Sequence, residues 1–363
     1  MKILFTTNIP SPYRMDFFNE VGKYCDLTVI FEKSATKSRD KSWSDFRFTH
    51  FKGIFIKRDE RSISFGVMKM IKKGQYDYTM VCNPMTPIGM LTILYLKHHK
   101  ILYGIEGDGA FLSQKENRIK YRVKRTILRG ADSYFSTCRN HDDYYKRYVG
   151  KMEQVYRYPF SSILKKDILC APLNALQKKD LRQQLGIKEE KVILAIGQFI
   201  KRKGFDLLLK AATMLKKEIG IYMVGGYSKE YEQFKEVHNL SNVHFIPFKK
   251  KNELQAYMDA SDLFVLPTRE DIWGLVINEV MARGLPVITT ERCNAGLVLV
   301  TNQVNGYIIP ADNVEELANR VDEILYTKDM EEMGRRSLDK IRGYTVEKMA
   351  EVHMQHFRKI LNE

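Results

Sequence analysis

Apolar and polar positions alternate along this chain in two successive series of short apolar runs and amphipathic stretches. Runs rich in Ile, Leu, Val, Phe and Tyr at residues 2–7, 27–31, 54–57, 78–82, 101–105 and 133–136 predict strands. Between them, apolar residues spaced at one helical turn predict helices around 15–23, 66–73, 88–98, 117–129 and 142–148. The second series predicts strands at 192–196, 221–224, 243–246, 262–266, 286–289 and 307–309. Its helices fall at 205–217, 230–237, 253–258, 274–283 and 314–325, and a last helical pattern covers 346–361. Strands with few interrupting polar residues are those of parallel sheets covered on both faces. The pattern therefore predicts an α/β chain of two doubly wound, Rossmann-like domains. Residues 34–50, polar and basic, predict a loop, and 161–179, which hold Pro172, predict a connector. The domains expected are 1–165 and 180–344.

A chain of 363 residues, 44% hydrophobic, suits two separate cores. No apolar run reaches the length of a membrane span, and the opening Met1-Lys2-Ile3-Leu4-Phe5 predicts a strand rather than a signal peptide. The five cysteines are scattered without zinc-like spacing, which predicts reduced thiols in a cytosolic protein. His98, His99, His141 and His238 are expected at the surface. The net charge is +15, and it is lopsided. Residues 1–180 hold 33 Lys and Arg against 18 Asp and Glu; residues 181–363 hold 26 of each. A basic first half implies an anionic partner: a membrane surface, a nucleic acid or a phosphate-bearing acceptor. No recognised nucleic-acid module accompanies the charge, so nucleic acid is not expected. The stretch 117–129 sets Ile119, Val123 and Ile127 on one stripe among many cations. It predicts a helix resting on anionic headgroups or, alternatively, a charged face packing its stripe on the sheet.

The densest chemistry lies between the strands 262–266 and 286–289. Glu270 and Asp271 precede Trp273-Gly274, and the helix that starts at Gly274 carries Glu279 one turn in. Gly284 and Pro286 close that helix. Backbone N–H groups at Gly274, Leu275 and Val276 would face an anion at a strand end, with the helix dipole behind them. Glu279 would accept hydrogen bonds from hydroxyls beside that anion. Upstream, Gly197-Gln198-Phe199-Ile200-Lys201-Arg202-Lys203-Gly204 joins a strand to a helix and places three cations in sequence, as a diphosphate requires.

These two stretches resemble the signature of glycosyltransferase family 4, retaining enzymes of the GT-B fold, including those of bacterial capsule and exopolysaccharide assembly. The family motif is two glutamates separated by seven residues; here Asp271 and Glu279 take that spacing, and Glu270 stands one residue away. The resemblance implies that Asp271 or Glu270 orients the donor sugar, the helix start holds the diphosphate and Glu279 binds the ribose. It implies that Lys203 grips the diphosphate, with Arg202 beside it and Gln198 where the family has Arg. Phe248 follows Pro247 at the family's base-binding position, which leaves uridine, guanosine and adenosine open. Two such domains would face each other across a cleft, with the helix 345–363 packing back on the first.

On the first domain, Pro10, Ser11 and Arg14 lie in the turn where the family commonly has a glycine-rich loop near the reacting centre. Glu106 occupies a position where members often carry His, and Asp108 follows in Glu106-Gly107-Asp108-Gly109. Either carboxylate could bind hydroxyls or balance charge on the sugar ring; both also fit plain turn chemistry. The expectation is a retaining hexosyltransferase using a nucleotide-sugar, with UDP-sugar favoured, as co-substrate and needing no cofactor or metal. The catalytic set would be Asp271, Glu279 and Glu106. Its acceptor would be a glycan or a polyprenyl-diphosphate-linked saccharide in cell-surface polysaccharide synthesis. Its expected place is the cytoplasm, peripheral at the inner face of the membrane. A catalytically silent homologue that binds glycan or a partner subunit is the second reading.

Overall fold

The computed structural model describes residues 1–33, 48–56, 63–112, 115–151 and 154–362. It divides into two compact units, one of Met1–Ser162 with Tyr344–Glu363, the other of Ile163–Gly343. Lys57 and most of the predicted loop 34–50 lie outside the described residues.

In the first unit the elements run β1 Lys2–Thr7, α1 Pro12–Val21, β2 Asp26–Phe31, β3 Lys52–Phe55, α2 Ile63–Gly74, β4 Tyr78–Val81 and α3 Pro87–His98. They continue with β5 Tyr103–Glu106, α4 Arg118–Leu128, β6 Ser133–Ser136, α5 Arg139–Val149 and β7 Val155–Arg157. The seven strands form one sheet in the order β3-β2-β1-β4-β5-β6-β7, and every pair is parallel. The order reverses between β1 and β4, which opens a crevice at their carboxyl ends. Asn83 spans it, its Oδ1 accepting from the Asn8 N–H at 2.8 Å. Strand β7, three residues long, carries too little pattern to be predicted.

The C-terminal helix Val346–Leu361 belongs to this unit. Thr345 caps it by accepting from the Lys348 N–H, and Met349, His353 and Phe357 recur at i+4 on its buried face. The Phe357 ring meets Phe5 at 6.0 Å, Tyr78 at 5.5 Å and Phe135 at 5.7 Å. Fully burying one such ring contributes roughly 1.5–3 kcal/mol, so this aromatic seam holds the helix firmly.

The second unit begins with α6 Ala175–Leu185 and β8 Lys191–Ile196, then α7 Phe205–Ala212, β9 Ile219–Val224, α8 Lys229–Val237, β10 Val243–Ile246 and α9 Lys251–Ala260. It continues through β11 Leu263–Leu266, α10 Leu275–Met281, β12 Val287–Thr290, α11 Asn294–Leu299, β13 Gly306–Ile309, α12 Val314–Thr327 and α13 Met330–Ile341. Its six-stranded parallel sheet has the order β10-β9-β8-β11-β12-β13. The order reverses between β8 and β11, so the two loops singled out from the sequence leave the sheet side by side.

Three local expectations are corrected. The connector 161–179 gives way to α6 at Ala175, where Asn174 and Gln177 form a reciprocal capping box. Helix α7 ends at Ala212 rather than 217, where the Thr213 hydroxyl bonds back to the Lys210 carbonyl at 2.8 Å. Helix α10 is Leu275–Met281 rather than 274–283; Gly284, at φ +72°, turns the chain back, and Arg283 pairs with Asp259. Helices α11 and α13 were not foreseen.

Candidate functional site

In the second unit the basic loop after β8 and the acidic loop after β11 are stitched together. The Arg202 carbonyl accepts from the Arg269 N–H at 2.8 Å and from the Thr268 hydroxyl at 2.9 Å. The approach demands glycine: a Cβ on Gly204, at φ +71°, would stand 1.9 Å from the Pro267 carbonyl oxygen. Across this seam Lys203 Nζ donates to Asp271 Oδ2 at 2.6 Å, and Arg202 lies 3.9 Å from Asp271 Oδ1. Arg202 also donates to the Glu270 carbonyl at 2.6 Å.

The acids therefore separate. Asp271 is buried against Lys203, whereas the exposed Glu270 points to Arg292 at 2.9 Å. Asp271 also joins the strand-end loop before α11, donating its N–H to the Arg292 carbonyl and bridging Cys293. Burial pushes the Cys293 thiol up to about 12, so it serves as a neutral donor to the Trp273 carbonyl at 3.0 Å. Arg269, absent from the sequence reading, clamps the seam from outside through Asp206 and Asp312.

Gly274 takes φ +99°, a value that L side chains rarely adopt, and a Cβ there would lie 2.7 Å from Cys293 Sγ. The chain thus enters α10 abruptly. The first-turn N–H groups of Leu275 and Val276 have no intrahelical acceptor, and both residues are half-buried. Glu279 is half-buried on the same helix. Trp273, beside the helix start where the donor is expected and itself counted with the donor-binding residues, is instead 2% exposed, its indole N–H spent on Asn278 Oδ1 at 2.9 Å. It packs beneath the turn and cannot offer its ring to a ligand. Gly197 is half-buried with φ +154°, Gln198 is exposed, and Phe248 is 56% exposed beyond β10.

In the first unit the expected acceptor-side residues gather at the carboxyl end of β5, but most are sealed. Glu106 is 0% exposed. One carboxylate oxygen pairs with Arg14 and accepts from the Tyr158 hydroxyl at 3.3 Å; the other lies 3.4 Å from His353 Nε2. Burial alone would raise this carboxyl, but the Arg14 charge and His353 outweigh it and hold it at about 2. Glu106 therefore neither faces substrate nor exchanges protons near neutrality, which corrects its assignment as catalytic. Arg14 is spent on Glu106 and Asp108, so it does not offer its charge to an incoming anion. Pro10 and Ser11 are buried in the turn, the Ser11 carbonyl accepting from the Met15 N–H. Only Asp108, its side chain 31% exposed, remains open, and Tyr13 donates to it at 2.8 Å.

His141, expected at the surface, is buried against Tyr145 with rings 4.4 Å apart, and burial lowers its pKa to about 4. Helix α4 buries Ile127 but leaves Ile119 70% exposed and Val123 exposed beside Arg118 and Arg122. The predicted stripe therefore packs at one end only. Next to it Arg118, Tyr121, Arg122, Arg125 and Arg147 line a depression of about 530 Å³ with Glu116. Among the described residues no helix is long and apolar enough to cross a membrane.

Several known proteins are similar to parts or the whole of this chain. An uncharacterized glycosyltransferase of Haemophilus influenzae is 29% identical over 178 residues, which cover 47% of this chain and 50% of that protein. The lipopolysaccharide glucosyltransferase WaaG of Escherichia coli is 34% identical over 119 residues, 31% of each chain. The matched stretches thus span half or less of these two relatives. The structure of Anabaena HepE in complex with UDP superposes over 100% of both chains with a TM-score of 0.80 at 17% identity. That likeness establishes the fold: both halves are Rossmann-like, as in glycosyltransferases of the GT-B class. Residues 177–337, which contain the whole Lys203–Asp271 seam and α10, match the family described as glycosyl transferases group 1.

Proposed function

We propose that this protein is a family 4 glycosyltransferase that moves a hexosyl group from a nucleotide-diphosphate donor, with UDP-sugar favoured, to a saccharide acceptor with retention of configuration. The observation that carries the reading is the Lys203–Asp271 pair beside the open first-turn amides of α10, at the strand-order reversal of a segment matching group 1 glycosyl transferases. Lys203, with Arg202 alongside, would trade Asp271 for a diphosphate, and the Leu275 and Val276 amides would take its remaining oxygens. The released Asp271 would then accept a hydrogen bond from the donor sugar, and Glu279 one from the ribose. Charge that builds on the leaving diphosphate would meet preorganised donors, the largest contribution such a site can make. The acceptor hydroxyl would attack on the face that the diphosphate leaves, its proton passing to a donor phosphate oxygen. Side-chain cations supply the counter-charge in this scheme, which calls for no metal.

That HepE was captured with UDP, and that WaaG is a lipopolysaccharide glucosyltransferase, support a uridine donor and a role in cell-surface polysaccharide assembly. The test is turnover of nucleotide sugars by purified protein, with product configuration read by NMR. Transfer or hydrolysis abolished by Glu279→Ala supports the enzyme; nucleotide binding without turnover would favour the silent homologue.

The acceptor is read as a polyprenyl-diphosphate-linked or other anionic glycan met at the inner membrane face. Exposed Ile119 and Val123 beside an arginine-lined depression support this. Flotation with anionic but not neutral liposomes is the expected result; equal recovery of free protein from both would count against it.

A further inference from the structure

Four polar side chains, His353, Glu106, Arg14 and Asp108, run in single file through the first unit, from the C-terminal helix to the loop after β5. His353 Nδ1 donates to the Met349 carbonyl at 2.7 Å, which directs Nε2 at Glu106 Oε2, 3.4 Å away. Both of those buried atoms are without a hydrogen-bond partner among the described residues, so this close approach is the polar contact each has. Glu106 Oε1 holds one guanidinium nitrogen of Arg14, and the other nitrogen holds Asp108 Oδ1. Tyr13 fixes Asp108 Oδ2, and Tyr158 ties Glu106 to the Gly107 carbonyl at 2.9 Å. Exposure rises along the file: His353, Glu106 and Arg14 are buried, and Asp108 alone reaches solvent. With Nδ1 committed as a donor, Nε2 is the nitrogen left to face the carboxylate.

We propose that His353 is a positioning residue for Asp108, acting through Glu106 and Arg14, and that Asp108 is the carboxylate this unit presents to an acceptor hydroxyl. The proposal rests on the transferase reading above. Phe17, Phe135 and Tyr158 pack around the imidazole at 4.8, 5.1 and 4.6 Å, so the ring has little room to swing away. The file holds together because Glu106 and Arg14 each bridge two of its members. A loss at His353 therefore frees Glu106 and Arg14 to re-pair, and Asp108 loses its fixed orientation.

The experiment compares His353→Leu, which removes the polar contact with Glu106, with His353→Gln, whose amide can restore one. In protein carrying ¹³C-labelled aspartate, the Asp108 carboxyl resonance should move in His353→Leu and return in His353→Gln, while Asp262 in the other unit stays in place. An unmoved Asp108 signal in His353→Leu, or equal displacement in both variants, overturns the proposal. Should His353→Leu not fold, Glu106→Gln replaces it with the same expected displacement. A second measurement uses UDP-glucose as donor and octyl glucoside as acceptor. His353→Leu should raise the acceptor KM on the order of 10-fold, leave UDP-glucose hydrolysis near wild type and add nothing to Asp108→Asn. Parallel loss of hydrolysis and transfer would mark a merely structural residue. If wild-type protein turns over no UDP-glucose, the donor reading fails, and the carboxyl spectra still decide the His353–Asp108 link.

Discussion

The seam in the second unit and the polar file in the first use the same residue types at the same place, the carboxyl ends of parallel strands beside a strand-order reversal. They do opposite work because of burial. Lys203 and Asp271, though largely buried, keep 15% and 11% of their side chains exposed, and in the proposed function a ligand breaks the pair and takes its hydrogen bonds. Arg14 and Glu106 are out of reach of water and of substrate, so their pair can only be structural or transmit position. A carboxylate at a strand end is thus a functional candidate only when some of it stays exposed.

The sharpest way to break this contrast is Lys203→Ala. It should lower kcat/KM for donor turnover on the order of 10²–10³-fold while the thermal midpoint stays close to wild type. Glu106→Ala should do the reverse. Removing the buried partner of Arg14, which leaves only the part-exposed Asp108 to balance it, costs up to about 3–5 kcal/mol, read by denaturant unfolding. Acidification should act on the first unit in two steps. The His141 pKa falls from 6.5 to about 4 on folding, so the unfolded chain takes up the proton first. Stability should decline from pH 6.5 down to about 4, by on the order of 3 kcal/mol, and His141→Gln should flatten that limb. Glu106, held at about 2 against 4.5, contributes stability that is complete above pH 4.5 and lost only as pH falls toward 2. The smallest effect belongs to Glu270→Ala. Its exposed pair with Arg292 should be worth less than about 1 kcal/mol, and turnover should persist, unlike in Asp271→Asn.

Much of the fold was legible because strands covered on both faces read as apolar runs. The errors fell where pattern is thin. Strand β7 is three residues long, and α6 was hidden in a polar stretch although Asn174 and Gln177 signalled its start. Within the site, the order and spacing of Lys203, Asp271, Gly274 and Glu279 were readable, because glycine and charge leave marks in sequence. The inward turn of Trp273 was not, since a large aromatic beside a glycine fits a ligand platform as well as a plug. Nor was the burial of His141 and Glu106, or the arrival of His353 from a helix more than two hundred residues away in the chain.

Local chemistry along the chain was enough to determine the class of architecture, the placing of glycine and charge in the loops after β8 and β11, and the asymmetry of charge between the halves. Those properties depend on residue type and near-neighbour spacing alone. Only tertiary structure decided which acids stay accessible, which cations are already spent and which distant imidazole comes to face Glu106. Desolvation and long-range pairing depend on what surrounds a side chain in space, and nothing local encodes that.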